Sequence, residues 1–399
     1  MKTFSNFKFH MYTEIVFGKD TEAQTAALIR KYGGSKVLLV YGSGSIKKSG
    51  LYDRVTATLK EGGIPFAELG GVKSNPTRSL VEEGIRIAEA EGVDFFLGVG
   101  GGSTIDTAKA IALAVANGGE YWPFYYDTEP AQMAPVGTIN TIAAAGSETS
   151  GSTVLVDDIE TGFKRGLTWD VCRPMFAIMN PELTYSVPAF QTGAGASDIF
   201  AHTYMRYFNG FASYLGDQYC VATLRTVVKY AALAIAKPAD YEARAELMLS
   251  AAFAHNDLTG IGRGSGPKGG EHPLEHQLSG YYDTAHGAGL AVIMPAYIRY
   301  MAAHGTAEQV ARAAQFGVDV FDVEPDMRDV RGTALAAAAA LTAWLRSIGM
   351  PTTLKELGVP KDELDAAIER IVRDTGGLIR GFMELDAAAI AEIYHSAAE

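Results

Sequence analysis

The sequence predicts an α/β domain over residues 1–188 followed by an all-helical domain over residues 189–399. Three observations carry this expectation. A chain of 399 residues exceeds the usual size of one compact domain. Up to Val187-Pro188, short β-branched runs alternate with helical stretches, the trace that βαβ units leave in a sequence. Beyond that point strand signals stop, and Ala- and Leu-rich segments of helical period take over.

In chain order the clearest strands are 36–41, 64–69, 94–99 and 135–140. The first and third run straight into glycine, at Gly42-Ser43-Gly44-Ser45 and Gly100-Gly101-Gly102-Ser103. Glycine at that junction lets a ligand approach the backbone at the carboxyl ends of the strands, where open α/β sheets bind nucleotides. The first domain is therefore expected to be a Rossmann-like dinucleotide-binding unit. In the second, segments 213–236, 240–258, 287–303, 306–317, 333–347 and 361–373 read as helices, several of them closed by Gly or Pro. No period of solenoid length repeats, and the alanine run at 336–340 is the one low-complexity tract.

Composition narrows the function classes. With 48% hydrophobic and 20% charged residues the chain is of ordinary globular type. A net charge of −12 with scattered basic residues offers no footprint for a phosphate backbone or an anionic membrane, so neither nucleic acid nor membrane is an expected partner. The start, Met1-Lys2-Thr3-Phe4-Ser5-Asn6, lacks an apolar signal core, and the longest apolar run, 334–345, is shorter than a membrane span. A cytoplasmic location is expected. The two cysteines, Cys172 and Cys220, lack metal-ligand spacing and are expected to be reduced, structural thiols.

The chemistry concentrates around histidine. Of eight histidines in the chain, three (His272, His276 and His286) fall within fifteen residues. Upstream, Asp198 and His202 stand four apart, so a helix presents both on one face, where two side chains can grip one ion. A single histidine is more simply explained as a core or capping residue, but a carboxylate and several imidazoles gathered in this way suit a borderline divalent metal, Fe²⁺ or Zn²⁺, and suit Ca²⁺ or Mg²⁺ poorly.

The stretches Gly195-Ala196-Ser197-Asp198-Ile199-Phe200-Ala201-His202 and His272 to Leu290, together with Gly100-Gly101-Gly102-Ser103-Thr104-Ile105-Asp106-Thr107-Ala108-Lys109, resemble the signatures of the iron-containing alcohol dehydrogenases, and the likeness covers nearly the whole chain. Within that family it is similar to bacterial NADPH-dependent butanol dehydrogenases and aldehyde reductases. The resemblance implies a dehydroquinate-synthase-like fold and interconversion of small alcohols and aldehydes by hydride transfer, in a homodimer. It assigns the metal to Asp198, His202, His272 and His286, and puts His276 in the substrate pocket as a catalytic or orienting group. Helical spacing alone would have paired His272 with His276. Two departures stand out: Met205 where the family usually has glutamate, and Ala145 in Ala145-Gly146-Ser147-Glu148 where it usually has threonine. Relatives on the same fold, a polyol dehydrogenase or a dehydroquinate-synthase-like lyase, are the alternatives, and a metal-stabilised binding protein is the non-enzymatic one.

For the cofactor, Gly101, Gly102 and Ser103 at a helix start present free N–H groups to a pyrophosphate, although a Ser103/Asp106 capping box would explain the same residues without a ligand. The cofactor set expected from the sequence and the resemblance is Gly42, Ser43, Ser45, Lys47, Asn75, Gly101, Gly102, Ser103, Asp106, Thr141 and Lys164. After strand 36–41 no carboxylate stands ready for ribose hydroxyls; Ser43 and Ser45 offer hydroxyls, and Lys47 and Lys48 offer positive charge. NADP(H) is therefore expected to be preferred over NAD(H).

Overall fold

The computed structural model describes residues 4–126, 128–263 and 269–398. They fall into two compact units, one of His10–Val187 with Pro238–Asn256, the other of the described residues up to Phe9, Pro188–Lys237 and the residues from Asp257 onward.

In the first unit the strands are β1 (Glu14–Phe17), β2 (Val37–Gly42), β3 (Phe66–Val72), β4 (Phe95–Gly100), β5 (Val136–Asn140), β6 (Ser152–Val156), β7 (Lys164–Thr168) and β8 (Phe176–Met179). Six form a parallel sheet in the order β1-β8-β5-β4-β2-β3, while β6 and β7 make a separate antiparallel pair. Alternation along β2 sends Leu38 and Val40 into one apolar cluster and Val37 and Leu39 into another. Both faces of the sheet are thus covered, as a parallel sheet requires. The helices doing so are α1 (Thr25–Lys31), α2 (Ser45–Lys48), α3 (Leu51–Glu61), α4 (Arg78–Glu91) and α5 (Gly102–Ala116). Register places Tyr41 beside Val99 and Gly100 beside Asn140, so the carboxyl ends of β2, β4 and β5 lie side by side. The four strands expected from sequence are β2 to β5, each within a few residues of the predicted bounds. β1 and β8 are four-residue strands and β6 and β7 a short hairpin, too brief for periodicity to announce them.

The second unit is built from α6 (Ala189–Tyr207) and α7 (Tyr214–Ala236), then, after α8 (Tyr241–His255) of the first unit, from α9 (Glu271–Tyr282), α10 (His286–His304), α11 (Ala307–Phe321), α12 (Val330–Ser347), α13 (Leu354–Leu357), α14 (Leu364–Thr375) and α15 (Ala387–Ser396). A two-stranded pair, Leu378–Ile379 with Leu385–Asp386, interrupts the otherwise helical unit. Its core is aromatic: Phe200 on α6 lies 4.7 Å, centroid to centroid, from Trp344, and Tyr204 lies 5.5 Å from Phe316. Burying each such ring contributes roughly 1.5–3 kcal/mol. The helix α7 is long and apolar enough to cross a membrane by length and composition, although Asp217, Arg225 and Lys229 interrupt its apolar residues. In the structure it packs along α6, and its Asp217 pairs with Arg263 and Arg312.

A single cut after residue 188 does not describe this packing. Pro238–Asn256 belongs with the α/β unit, because Met248 and Ala252 on α8 pack against Ala177 and Met179 of β8, and the Thr149 hydroxyl donates to the Ala252 carbonyl at 2.7 Å. Residues up to Phe9 go the other way: the Ser5 amide donates to the Gly262 carbonyl at 3.1 Å. Helical period reveals that a segment has an apolar face but not which surface that face will meet. Cys172 and Cys220 are both buried and free, as expected.

Candidate metal centre and cofactor loop

In the helical unit, α6 carries Asp198 and His202 one turn apart, with His202 Nδ1 3.6 Å from Asp198 Oδ1. From α9 comes His272, whose ring stacks on that of His202 with centroids 4.9 Å apart. One donor atom from each of Asp198, His202 and His272 lies within 4.8 Å of the others, and all three residues are buried. His286, the first residue of α10, places Nε2 3.8 Å from Asp198 Oδ1 and its ring centroid 5.5 Å from that of His272. The structure therefore brings together the four residues expected to hold the metal. His276, one turn beyond His272 on α9, is partly exposed, and its ring lies 5.6 Å from that of His286 and 6.3 Å from that of His272.

Two carboxylates that the sequence did not single out hold these rings. Glu271 Oε1 lies 2.9 Å from His272 Nδ1, and Glu275 is hydrogen-bonded to His286 Nδ1. Both are fully buried. Each occupies one ring nitrogen and leaves Nε2 for the cluster; His272 Nε2 has no hydrogen-bond partner among the described residues. That arrangement is the usual one around a metal-ligating imidazole, so the residues present fit a divalent ion. The sequence signal was an acidic residue adjacent to each of His272 and His276, indistinguishable there from a solvated helix face. The glycines in His286-Gly287-Ala288-Gly289 now have a reason. A Cβ on Gly287 would overlap the Ala194 carbonyl of α6, and one on Gly289 would lie 2.5 Å from Glu275 Oε1.

In the α/β unit, β4 ends at Gly100 and α5 begins at Gly102, with Gly101 as its N-cap and no side chain capping it. The Ser103/Asp106 capping box is absent. Ser103 Oγ donates instead to the Ser74 carbonyl, next to Asn75, whose Oδ1 accepts from Lys164 Nζ at 3.2 Å. The loop after β5 closes over the helix start: Thr141 N donates to Gly100 O at 3.0 Å, and a Cβ on Gly102 would lie 3.1 Å from that of Ala145. Gly101, Gly102, Ser103, Asn75, Thr141 and Lys164 thus form one neighbourhood around a helix N-terminus.

Asp106 lies beneath that neighbourhood, with one carboxylate oxygen accepting from Ser147 Oγ at 2.5 Å and the other from Val154 N at 3.1 Å. It supports the loop from inside the protein. Beside it the fully buried Lys109 ammonium donates to the carbonyls of Ser147, Ser150 and Ser152 at 2.6–2.9 Å and to Ser147 Oγ at 2.9 Å. Burial pushes the Lys109 ammonium down to about 8 and the Glu148 carboxyl up to about 7. His255 on α8 completes the support, Nδ1 lying 2.7 Å from the Ala145 carbonyl and Nε2 3.1 Å from Ser152 Oγ. Neither Lys109 nor His255 was assigned a role from sequence.

At the end of β2, Ser45 opens α2 behind Gly44, whose φ of 129° is the glycine-favouring kind. Ser43 is exposed and Gly42 partly so. The Lys47 ammonium sits over the rings of Tyr41 and Tyr52, at 4.8 and 4.7 Å, and both tyrosine hydroxyls donate to Glu68.

A glycine loop at the carboxyl ends of a doubly covered parallel sheet, accompanied by a helical unit with a buried carboxylate–imidazole cluster, defines a Rossmann-like α/β protein with a metal-type donor set. Family models narrow this class. The model described as iron-containing alcohol dehydrogenase matches residues 13–181, and that of the C-terminal part of the Fe-containing alcohol dehydrogenase family matches 192–398. The chain belongs to the iron-containing alcohol dehydrogenase family and is an alcohol or aldehyde oxidoreductase. It is 38% identical to NADH-dependent butanol dehydrogenase A of Clostridium acetobutylicum over 98% of each chain, and 30% identical to the NADPH-dependent aldehyde reductase YqhD of Escherichia coli over 92% of this chain and 93% of that one. The solved structure of NADH-dependent butanol dehydrogenase A from Thermotoga maritima superposes with a TM-score of 0.93 at 35% identity over 100% of each chain.

Proposed function

We propose that the chain interconverts primary alcohols and aldehydes by hydride transfer with a nicotinamide dinucleotide, using one Fe²⁺ or Zn²⁺ held by Asp198, His202, His272 and His286. The observation that carries this reading is the buried convergence of donor atoms from Asp198, His202 and His272 within 4.8 Å of one another. A divalent ion bound there supplies Lewis-acid character to the substrate oxygen. The side chains do the rest. Glu271 and Glu275 orient two of the imidazoles, and His276, partly exposed near His286, orients the substrate or passes a proton. The N–H groups of Gly101, Gly102 and Ser103 at the start of α5 bind the pyrophosphate, with Asn75, Thr141 and Lys164 around them. The test is to strip the protein of metal, reload it with Fe²⁺ or Zn²⁺, and follow nicotinamide absorbance with butanal and 1-butanol. Equal turnover in the stripped and reloaded forms overturns the metal reading.

Each dinucleotide has observations behind it. Ser43, Ser45 and Lys48, with no carboxylate on the loop after β2, favour NADP(H). Lys47, seated over Tyr41 and Tyr52 close to Glu68, and the similarity to NADH-dependent butanol dehydrogenases favour NAD(H). Comparing kcat/KM for the two on one substrate decides between them. We further propose that the enzyme works on small-molecule substrates in the cytoplasm as a homodimer, which sedimentation of the purified chain tests for the oligomer.

A further inference from the structure

Glu271 is an unusual neighbour for His272. It precedes the histidine directly in the first turn of α9, yet its side chain turns back into the protein, is fully buried, and sets Oε1 2.9 Å from His272 Nδ1. On α6 opposite, position 205 holds Met205, whose uncharged thioether is only a weak hydrogen-bond acceptor. The two positions meet at Gly269, whose amide donates to the Met205 carbonyl at 3.1 Å. A Cβ built on Gly269 would lie 3.2 Å from Met205 Cα and overlap Glu271 Oε2. The Glu271 carboxylate therefore fills the space beside Met205, one turn along α6 from His202.

We infer that Glu271 is a positioning residue for His272: from α9 it provides the carboxylate that α6 lacks at Met205. The inference rests on the metal reading above. By accepting from Nδ1, Glu271 holds the ring in the tautomer that leaves Nε2 for the ion, and its negative charge makes that nitrogen a better donor. Gly269 is part of the device, because any larger residue there would displace the carboxylate.

The experiment is competition of the full-length apo chain with a chromophoric chelator for Zn²⁺, together with the absorption spectrum of the Co²⁺-substituted protein. Glu271→Ala should weaken Zn²⁺ binding by about 10–100-fold and alter the Co²⁺ bands. Glu271→Gln keeps the volume and an acceptor oxygen but not the charge, and should fall between parent and alanine variant. Installing Met205→Glu in the Glu271→Ala background should recover part of the lost affinity. Should Glu271→Ala disturb folding, as judged by its apo melting midpoint, Glu271→Gln alone decides. Parent-like Zn²⁺ affinity and an unchanged Co²⁺ spectrum in Glu271→Gln overturn the inference, provided His272→Ala loses the metal. If His272→Ala and Asp198→Asn also bind Zn²⁺ as the parent does, the metal reading itself falls, and this inference with it.

Discussion

The first turn of α10 lies so close to α6 that a Cβ on Gly287 would overlap the Ala194 carbonyl oxygen and stand 2.7 Å from its carbonyl carbon. Ala194 is one turn before Asp198, and Gly287 directly follows His286. The absence of a side chain at 287 is what lets His286 Nε2 come within 3.8 Å of Asp198 Oδ1.

Gly287→Ala should therefore push the two helices apart, lowering stability by about 1–3 kcal/mol, the usual cost of overpacking. Metal affinity should fall with it. Denaturant unfolding and metal analysis on the same sample check both; a variant with parent stability and full metal content would refute this account of Gly287.

Replacing His272 or His286 with alanine should remove most of the metal and the activity, while far-ultraviolet circular dichroism stays that of the parent. His276→Ala should keep its metal and lose turnover. Metal loss in His276→Ala comparable to that in His272→Ala would make His276 a ligand.

An aspartate at Ser43 or Gly42 restores an acceptor for the ribose hydroxyls at the end of β2 and repels a 2′-phosphate. Each change should move the ratio of kcat/KM toward NADH by about tenfold, the effect of one hydrogen bond to a charged group worth roughly 1.5 kcal/mol. An unchanged ratio in both variants would show that this loop does not read the ribose.

Burial raises the Glu148 carboxyl from its ordinary value of 4.5 to about 7. Between those values the folded chain holds a proton that the unfolded chain releases, so this group's effect is to lower stability as pH climbs through the window. Glu148→Gln removes the ionisation. Its stability relative to the parent should therefore rise from pH 5 to pH 7.5, and a difference that stays flat across that range would exclude a raised carboxyl at this position.

Much of the molecule was legible along the chain, because its signals are local. Strands β2 and β4 read as apolar runs ending in Gly42 and Gly100, and Asp198 and His202 read as a pair because a helix brings residues four apart to one face. The clustering of His272, His276 and His286 marked the second half of the site. Which of these imidazoles share a centre was not local: spacing pairs His272 with His276, whereas the fold sets His272 against His202 and His286 against Asp198. The same holds for the supporting parts. Glu271 and Glu275 look like solvated acids in sequence, and Lys109 like an exposed helix residue, until the packing of α9, α10 and the 147–152 segment buries them against specific partners. Helix α8 has the period of the helical half but packs on β8. Periodicity fixes which side chains a segment presents together. The surface that receives them depends on complementarity between segments distant in the chain, which no local window contains, and only the folded structure decides it.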